Sequence, residues 1–222
     1  MSLFGEEQRG FDYPVSLSEK YRPARVADFI GLAREKRIIG KFIESPRDGA
    51  FLFVGPSGIG KTTLALAMAE ELGAELHCIG SQKCTVDNVD EIIRQCWYVA
   101  QRGGYHIVLV DEADSMTNAA QLALLSKLDS TAKPPKTIFV FTCNSTDRLE
   151  KRFLSRCMVL EFSSYGMRAE LAKFLAEVWD KEVGHSSNVP DAKRPDFERI
   201  AKDATNNVRD ALMRLEVELL AA

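Results

Sequence analysis

Short, uninterrupted apolar runs alternate along this chain with longer stretches of helical spacing. Ala50-Phe51-Leu52-Phe53-Val54 carries no polar position, the pattern of a strand covered on both faces. Further strands are expected at 75–79, 106–110, 137–143 and 158–162. Between them the spacing changes. Ile38, Ile39, Phe42 and Ile43 share one helical face within 33–43. Residues 61–72, rich in Ala, Leu, Met and Glu, favour a helix by composition. A helix is expected over 86–100, with Val89, Ile92, Ile93 and Cys96 turned inward. Another, over 118–129, has Asn118 as its expected N-cap, and Pro134-Pro135 breaks the pattern beyond it.

Strands that alternate with helices imply right-handed crossovers and a parallel sheet with helices on both faces. Ligands of such sheets sit beyond the carboxyl ends of the strands. After Phe162 the strands stop. Three helices are expected at 166–183, 195–204 and 207–221, around a polar loop at 186–194. The expected organisation is therefore an N-terminal leader (1–17), an α/β nucleotide-binding domain (18–163) and a small all-helical lid (164–222).

The chemistry concentrates where strands end. Gly55-Pro56-Ser57-Gly58-Ile59-Gly60-Lys61-Thr62 follows the first strand and opens a helix, the G-x-x-x-x-G-K-[ST] pattern of a P-loop. Its glycines let successive N–H groups point at phosphate oxygens, and the helix start adds its positive end. Lys61 supplies a charge for the β- and γ-phosphates, Thr62 a hydroxyl ligand for Mg²⁺, and Thr63 follows on the same helix start. The strand 106–110 runs into Asp111-Glu112-Ala113-Asp114. Asp111 is the expected second Mg²⁺ ligand, and Glu112 the group that polarises an attacking water. Asn144, at the end of the next strand, either orients that water or simply forms a turn.

Composition narrows the remainder. The 222 residues carry a net charge of −3, which excludes a uniformly basic nucleic-acid coat. Charged residues interrupt every apolar run before membrane-spanning length, and Met1 to Gly10 lacks the basic and apolar regions of an export signal. A cytoplasmic protein is expected, nucleoid-associated or nuclear as the host requires. His77-Cys78 with Cys84 and Cys96 fits no zinc spacing, so the cysteines are expected to be small buried apolar residues.

With these residues placed, the chain resembles the AAA+ ATPases, and within them the clamp-loader subunits that open sliding clamps on DNA. Glu19-Lys20-Tyr21-Arg22-Pro23 followed by Phe29-Ile30-Gly31 is similar to the clamp-loader box that cups adenine, and Leu154-Ser155-Arg156-Cys157 to the Ser-Arg-Cys motif. The run from Asn207 through Val208, Arg209, Asp210 and Ala211 to Leu212 is similar to the lid helix whose arginine contacts the γ-phosphate. The resemblance implies an adenine pocket at Tyr21, Pro23 and Ile30, with Arg22, Gly31 and Val208 beside the nucleotide. It implies that Arg209 senses the γ-phosphate and that Arg156 reaches the site of a neighbouring subunit. Implied partners are other AAA+ subunits, a sliding clamp and primed double-stranded DNA, the last met at the 81–87 loop and the Asn118 helix start with Lys83 and Lys127 as helpers. Asn206-Asn207 stands where Gly-Asp is usual, and the chain ends at Ala222, before the helical collar of clamp loaders.

Overall fold

A computed structural model of the chain describes residues 15–100, 103–129, 133–185 and 194–221. Five strands form one sheet: β1 (Gly49–Val54), β2 (Glu75–Gly80), β3 (His106–Asp111), β4 (Thr137–Cys143) and β5 (Met158–Glu161). Their order is β2-β3-β4-β1-β5, and every neighbouring pair is parallel. The continuous apolar runs form the centre. Phe51, Leu52 and Phe53 of β1 and Ile138, Phe139, Val140 and Phe141 of β4 are fully buried.

Helices cover both faces, as the alternation predicts. On one face α2 (Ala33–Glu44) and α3 (Lys61–Glu71) pack Ile39, Phe42, Leu64 and Met68 against Phe51, Phe53 and Ile138. On the other, α4 (Val86–Gln95), α5 (Asn118–Leu128) and the short α6 (Lys151–Leu154) pack Val89, Ile93, Leu124 and Phe153 against Leu52, Val108 and Phe141. Burying a side chain of this size contributes about 1.5–3 kcal/mol, so the two layers fix the sheet in place.

The last three helices are α7 (Arg168–His185), α8 (Phe197–Asp203) and α9 (Val208–Ala221). They share a core of Leu171, Leu175, Trp179, Ile200, Ala201, Leu212 and Leu215. Leu17 joins that core from a helical turn, α1 (Leu17–Lys20). The sequence places Leu17 in the leader; its apolar side chain instead anchors the chain against α9. Residues 1–14 and most of the polar loop lie outside the described residues.

Three local expectations are corrected. Helix α4 stops at Gln95 rather than running on to Ala100. The Trp97 and Tyr98 N–H groups turn back to the Arg94 and Gln95 carbonyls at 3.3 and 3.1 Å, three residues away rather than four, and Trp97, Tyr98 and Val99 are exposed. The N-cap of α5 is Thr117, whose hydroxyl accepts the Ala120 N–H at 3.2 Å; Asn118 is the first helical residue. Cys78 is exposed, because the edge strand β2 buries little of the face it lies on. Among the described residues, no helix is long and apolar enough to cross a membrane.

Candidate functional site

The Gly-rich turn leaves β1 at Val54 and enters α3 at Lys61. Gly58 and Gly60 take φ of +74° and +103°, left-handed backbone that costs any L side chain energy. At Gly58 there is also no room: a Cβ would lie 2.2 Å from Asn207 Oδ1. Lys61 is buried at 8% exposure and donates to the carbonyls of Gly55 (2.7 Å) and Pro56 (2.9 Å) and to Asn144 Oδ1 (3.0 Å). All three ammonium donors are thus occupied, two by carbonyls of the turn and one by the Asn144 side chain beyond β4. Burial pulls the Lys61 pKa down from its ordinary value, opposed by the nearby Cys143, Asp111 and Asp114 and reinforced by Arg209. An anion arriving here relieves that burial penalty, because it supplies the counter-charge the ammonium lacks.

Strand β4 lies between β1 and β3, so its end stands between the turn and Asp111. Thr62 Oγ1 donates to Asp111 Oδ1 at 2.7 Å, and the Thr142 hydroxyl, from β4, donates to the same carboxylate oxygen. The Thr142 oxygen in turn accepts the Glu112 N–H at 3.1 Å. Glu112 itself sits in left-handed backbone, φ +55°, where the chain turns sharply off the strand. Asp114 accepts the Asn144 N–H at 3.2 Å through Oδ2, while its buried Oδ1 finds no partner among the described residues. Thr62 and Asp111 together offer the hard oxygen donors that suit Mg²⁺.

This polar cleft continues into an apolar one, the two sharing Gly58, Gly60, Thr63 and Arg209 as lining. Tyr21, Arg22, Pro23 and Ile30 line the apolar part, with Ile59 and Val208. The Tyr21 hydroxyl donates to Glu182 Oε1 of α7 at 2.5 Å, and its ring meets Phe174 edge-on at 6.2 Å. Burial, with Glu182 adding to it, pushes the Tyr21 phenol up to about 12. Tyr21 is thereby tied to α7 as well as to the cleft.

Most predicted site residues come together along this cleft. Ser57, Gly58, Gly60, Lys61, Thr62, Asp111, Glu112, Asn144 and Arg209 line its polar part. Three do not line it. Gly31, with φ of +61°, makes a turn against Met167, whose side chain would lie 2.8 Å from an added Cβ. Pro56 contributes only its carbonyl, to Lys61. Arg156 is on the surface, paired with Asp129 at 2.6 Å and donating to the Arg152 carbonyl at 2.9 Å. That exposed pair lowers the Asp129 pKa and raises that of Arg156, chiefly through their hydrogen bond.

Sequence reasoning missed the parts played by Thr142, Phe174, Leu212 and Asn207. Thr142 has no motif of its own; its part follows from β4 lying between the turn and Asp111. Phe174 and Leu212 complete the apolar lining beside Phe29 of the box, and only the fold brings α7 and α9 to Tyr21. Asn207 donates to the Ser57 carbonyl at 2.8 Å and accepts the Asp210 N–H at 3.1 Å. It therefore joins the start of α9 to the turn. Its neighbour Asn206 holds φ of +59°, a conformation that Asn tolerates nearly as Gly does, which accounts for Asn where glycine is usual.

Comparisons with known proteins agree with this geometry. Residues 51–165 match the model of the ATPase family associated with various cellular activities (AAA). The chain is 33% identical over 175 residues to replication factor C small subunit 1 of Pyrobaculum islandicum, covering 74% of this chain and 53% of that protein. It is 32% identical over 216 residues to replication factor C subunit 4 of rice, Oryza sativa, covering 92% and 61%. The chain thus spans between half and two thirds of the length of these relatives. A solved structure of the RuvB Holliday junction branch migration motor of Thermotoga maritima superposes with a TM-score of 0.70 at 24% identity, over 88% of this chain and 64% of that one, a likeness of fold alone. The Gly-rich turn, the acidic strand end and the family match over 51–165 agree: the chain belongs to the AAA family of ATPases.

Proposed function

We propose that this chain binds ATP with Mg²⁺ and hydrolyses it as one subunit of a clamp-loading assembly in DNA replication. The observation that carries the proposal is the continuous cleft, apolar around Tyr21 and Ile30 and polar around Lys61, Thr62 and Asp111. Adenine takes the apolar part. The phosphates take the turn, where Lys61 exchanges the Gly55 and Pro56 carbonyls for phosphate oxygens. Thr62 and Asp111 would hold Mg²⁺, which when bound neutralises charge developing on the phosphate oxygens. Thr142 keeps Asp111 oriented. Glu112 polarises the attacking water, and Asn144 positions Lys61 and that water. Arg209 stabilises the γ-phosphate from α9, so binding draws the helical segment 164–222, acting as a lid, toward the 18–163 domain.

The surface position of Arg156 supports a role outside its own cleft, as a finger toward the nucleotide of an adjoining subunit. The similarity to replication factor C small subunits supports a sliding clamp, sister AAA+ subunits and primed duplex DNA as partners. DNA contacts would fall on the 81–87 loop and the start of α5, where Lys83 is exposed. Lys127, a candidate helper, is already paired with Asp90 at 2.9 Å, which leaves Lys83 the stronger candidate. The test is co-purification from the native cells with ATP or a slowly hydrolysed analogue. A clamp and sister subunits support the loader. A self-assembled hexamer instead supports a second reading, a branch-migration type of motor.

A further inference from the structure

At the far end of the sheet from the nucleotide cleft, three ligating side chains meet. His77 lies on β2, His106 begins β3, and Cys96 closes the C-terminus of α4. Their ligand atoms all lie within 4.8 Å of one another. The register that pairs Glu75 with His106 and His77 with Val108 puts both imidazoles on the α4 side of the sheet. His77 Nε2 and His106 Nδ1 approach to 3.0 Å, and Cys96 and His106 are almost wholly buried.

We propose that His77, Cys96 and His106 form a zinc site. Ring-nitrogen and thiolate ligands at bond lengths of about 2.0–2.3 Å stand roughly 3.3–3.7 Å apart around a tetrahedral ion, so small side-chain movements close the set. A His₂Cys donor set is that of a borderline-soft ion, zinc before magnesium or calcium. The tautomer of His106 is already fixed for ligation. Its Nε2 faces the Tyr98 carbonyl at 2.9 Å and must donate there, which leaves the Nδ1 lone pair facing the cluster. His77, half-buried, stands on the open side, where water completes four-coordination. Glu75 lies two residues before His77 on the same face of β2.

The ion would tie the edge strand β2 and the end of α4 to β3. Zinc binding forms a bond from zinc to the Cys96 sulfur as the thiol proton leaves to solvent, with no change of oxidation state. The site does not depend on the proposed ATPase activity, since none of its residues lines the cleft.

The test titrates the full chain, stripped with a chelator, with Zn²⁺ and with Co²⁺ as a spectroscopic stand-in. The expected result is one ion per chain, a sulfur-to-cobalt charge-transfer band, and a rise in Tm with zinc. Cys96→Ser removes the band, and His77→Ala, at a half-exposed position, weakens binding at least about tenfold. Cys78→Ala, which removes the exposed thiol next to His77, leaves all three signals in place. Absence of binding by the folded wild type, or wild-type binding by both the Cys96→Ser and His77→Ala variants, overturns the proposal. Loss of the band in Cys78→Ala alone also overturns it.

Discussion

The two ends of the parallel sheet were written into the sequence in different ways. At the carboxyl ends of β1, β3 and β4, site residues follow one another along short segments, Gly55 to Thr62, Asp111 to Asp114 and Thr142 to Asn144. The first two segments are recognisable as motifs, and the order of elements brings Thr142 to Asn144 between them. At the amino ends of β2 and β3, His77, Cys96 and His106 come from separate elements and converge only through strand register. Contiguous spacing reveals a site when backbone groups do the binding, as in a phosphate cradle. It conceals one when side chains alone converge.

That difference can be broken or sharpened by substitution. The largest effect belongs to Arg156→Ala, which leaves ATP binding intact and lowers turnover in the full assembly by about 10³–10⁵ if it acts in a neighbouring site. Steady-state hydrolysis by the reconstituted complex is the readout, and unchanged turnover assigns Arg156 to its surface pair with Asp129. Thr142→Val removes one donor to Asp111 and the acceptor of the Glu112 N–H. A loss of about 10–100-fold in hydrolysis is expected, with adenine-nucleotide affinity little changed, because a group that orients a metal ligand acts on the metal. An unaltered Mg²⁺ dependence in that variant argues against Asp111 as the ligand.

Gly58→Ala meets both left-handed backbone and the Asn207 amide. A cost of at least about 1–2 kcal/mol is expected, seen as lower Tm and as weakened nucleotide binding when the Asn207 bond to Ser57 is lost. Thr117→Ala is the smallest change. Loss of the α5 cap costs about 1 kcal/mol in chemical denaturation and leaves hydrolysis unaltered.

The strands and the helical layers were legible because their apolar patterns match their periods. The strand 137–143 is the clearest case, with all seven residues buried. Local competition decided the rest. The sequence over 86–100 keeps helical spacing up to Cys96, but Trp97 to Val99 are exposed and the Trp97 and Tyr98 N–H groups turn back three residues, which ends the helix. Thr117 outcompetes Asn118 as cap because its hydroxyl, one residue earlier, reaches the Ala120 N–H. In the cleft, the turn and the acids were legible as motifs. Phe174 and Leu212 were not, because their approach to Tyr21 depends on how α7 and α9 pack, which no local pattern encodes.

The most direct test of the central reading is a calorimetric titration of the full chain with a slowly hydrolysed ATP analogue and Mg²⁺. One site per wild-type chain is expected, with loss of that site in Lys61→Ala and retention in Arg156→Ala. Equal binding by wild type and Lys61→Ala, or a folded wild type that binds no nucleotide, would contradict that reading.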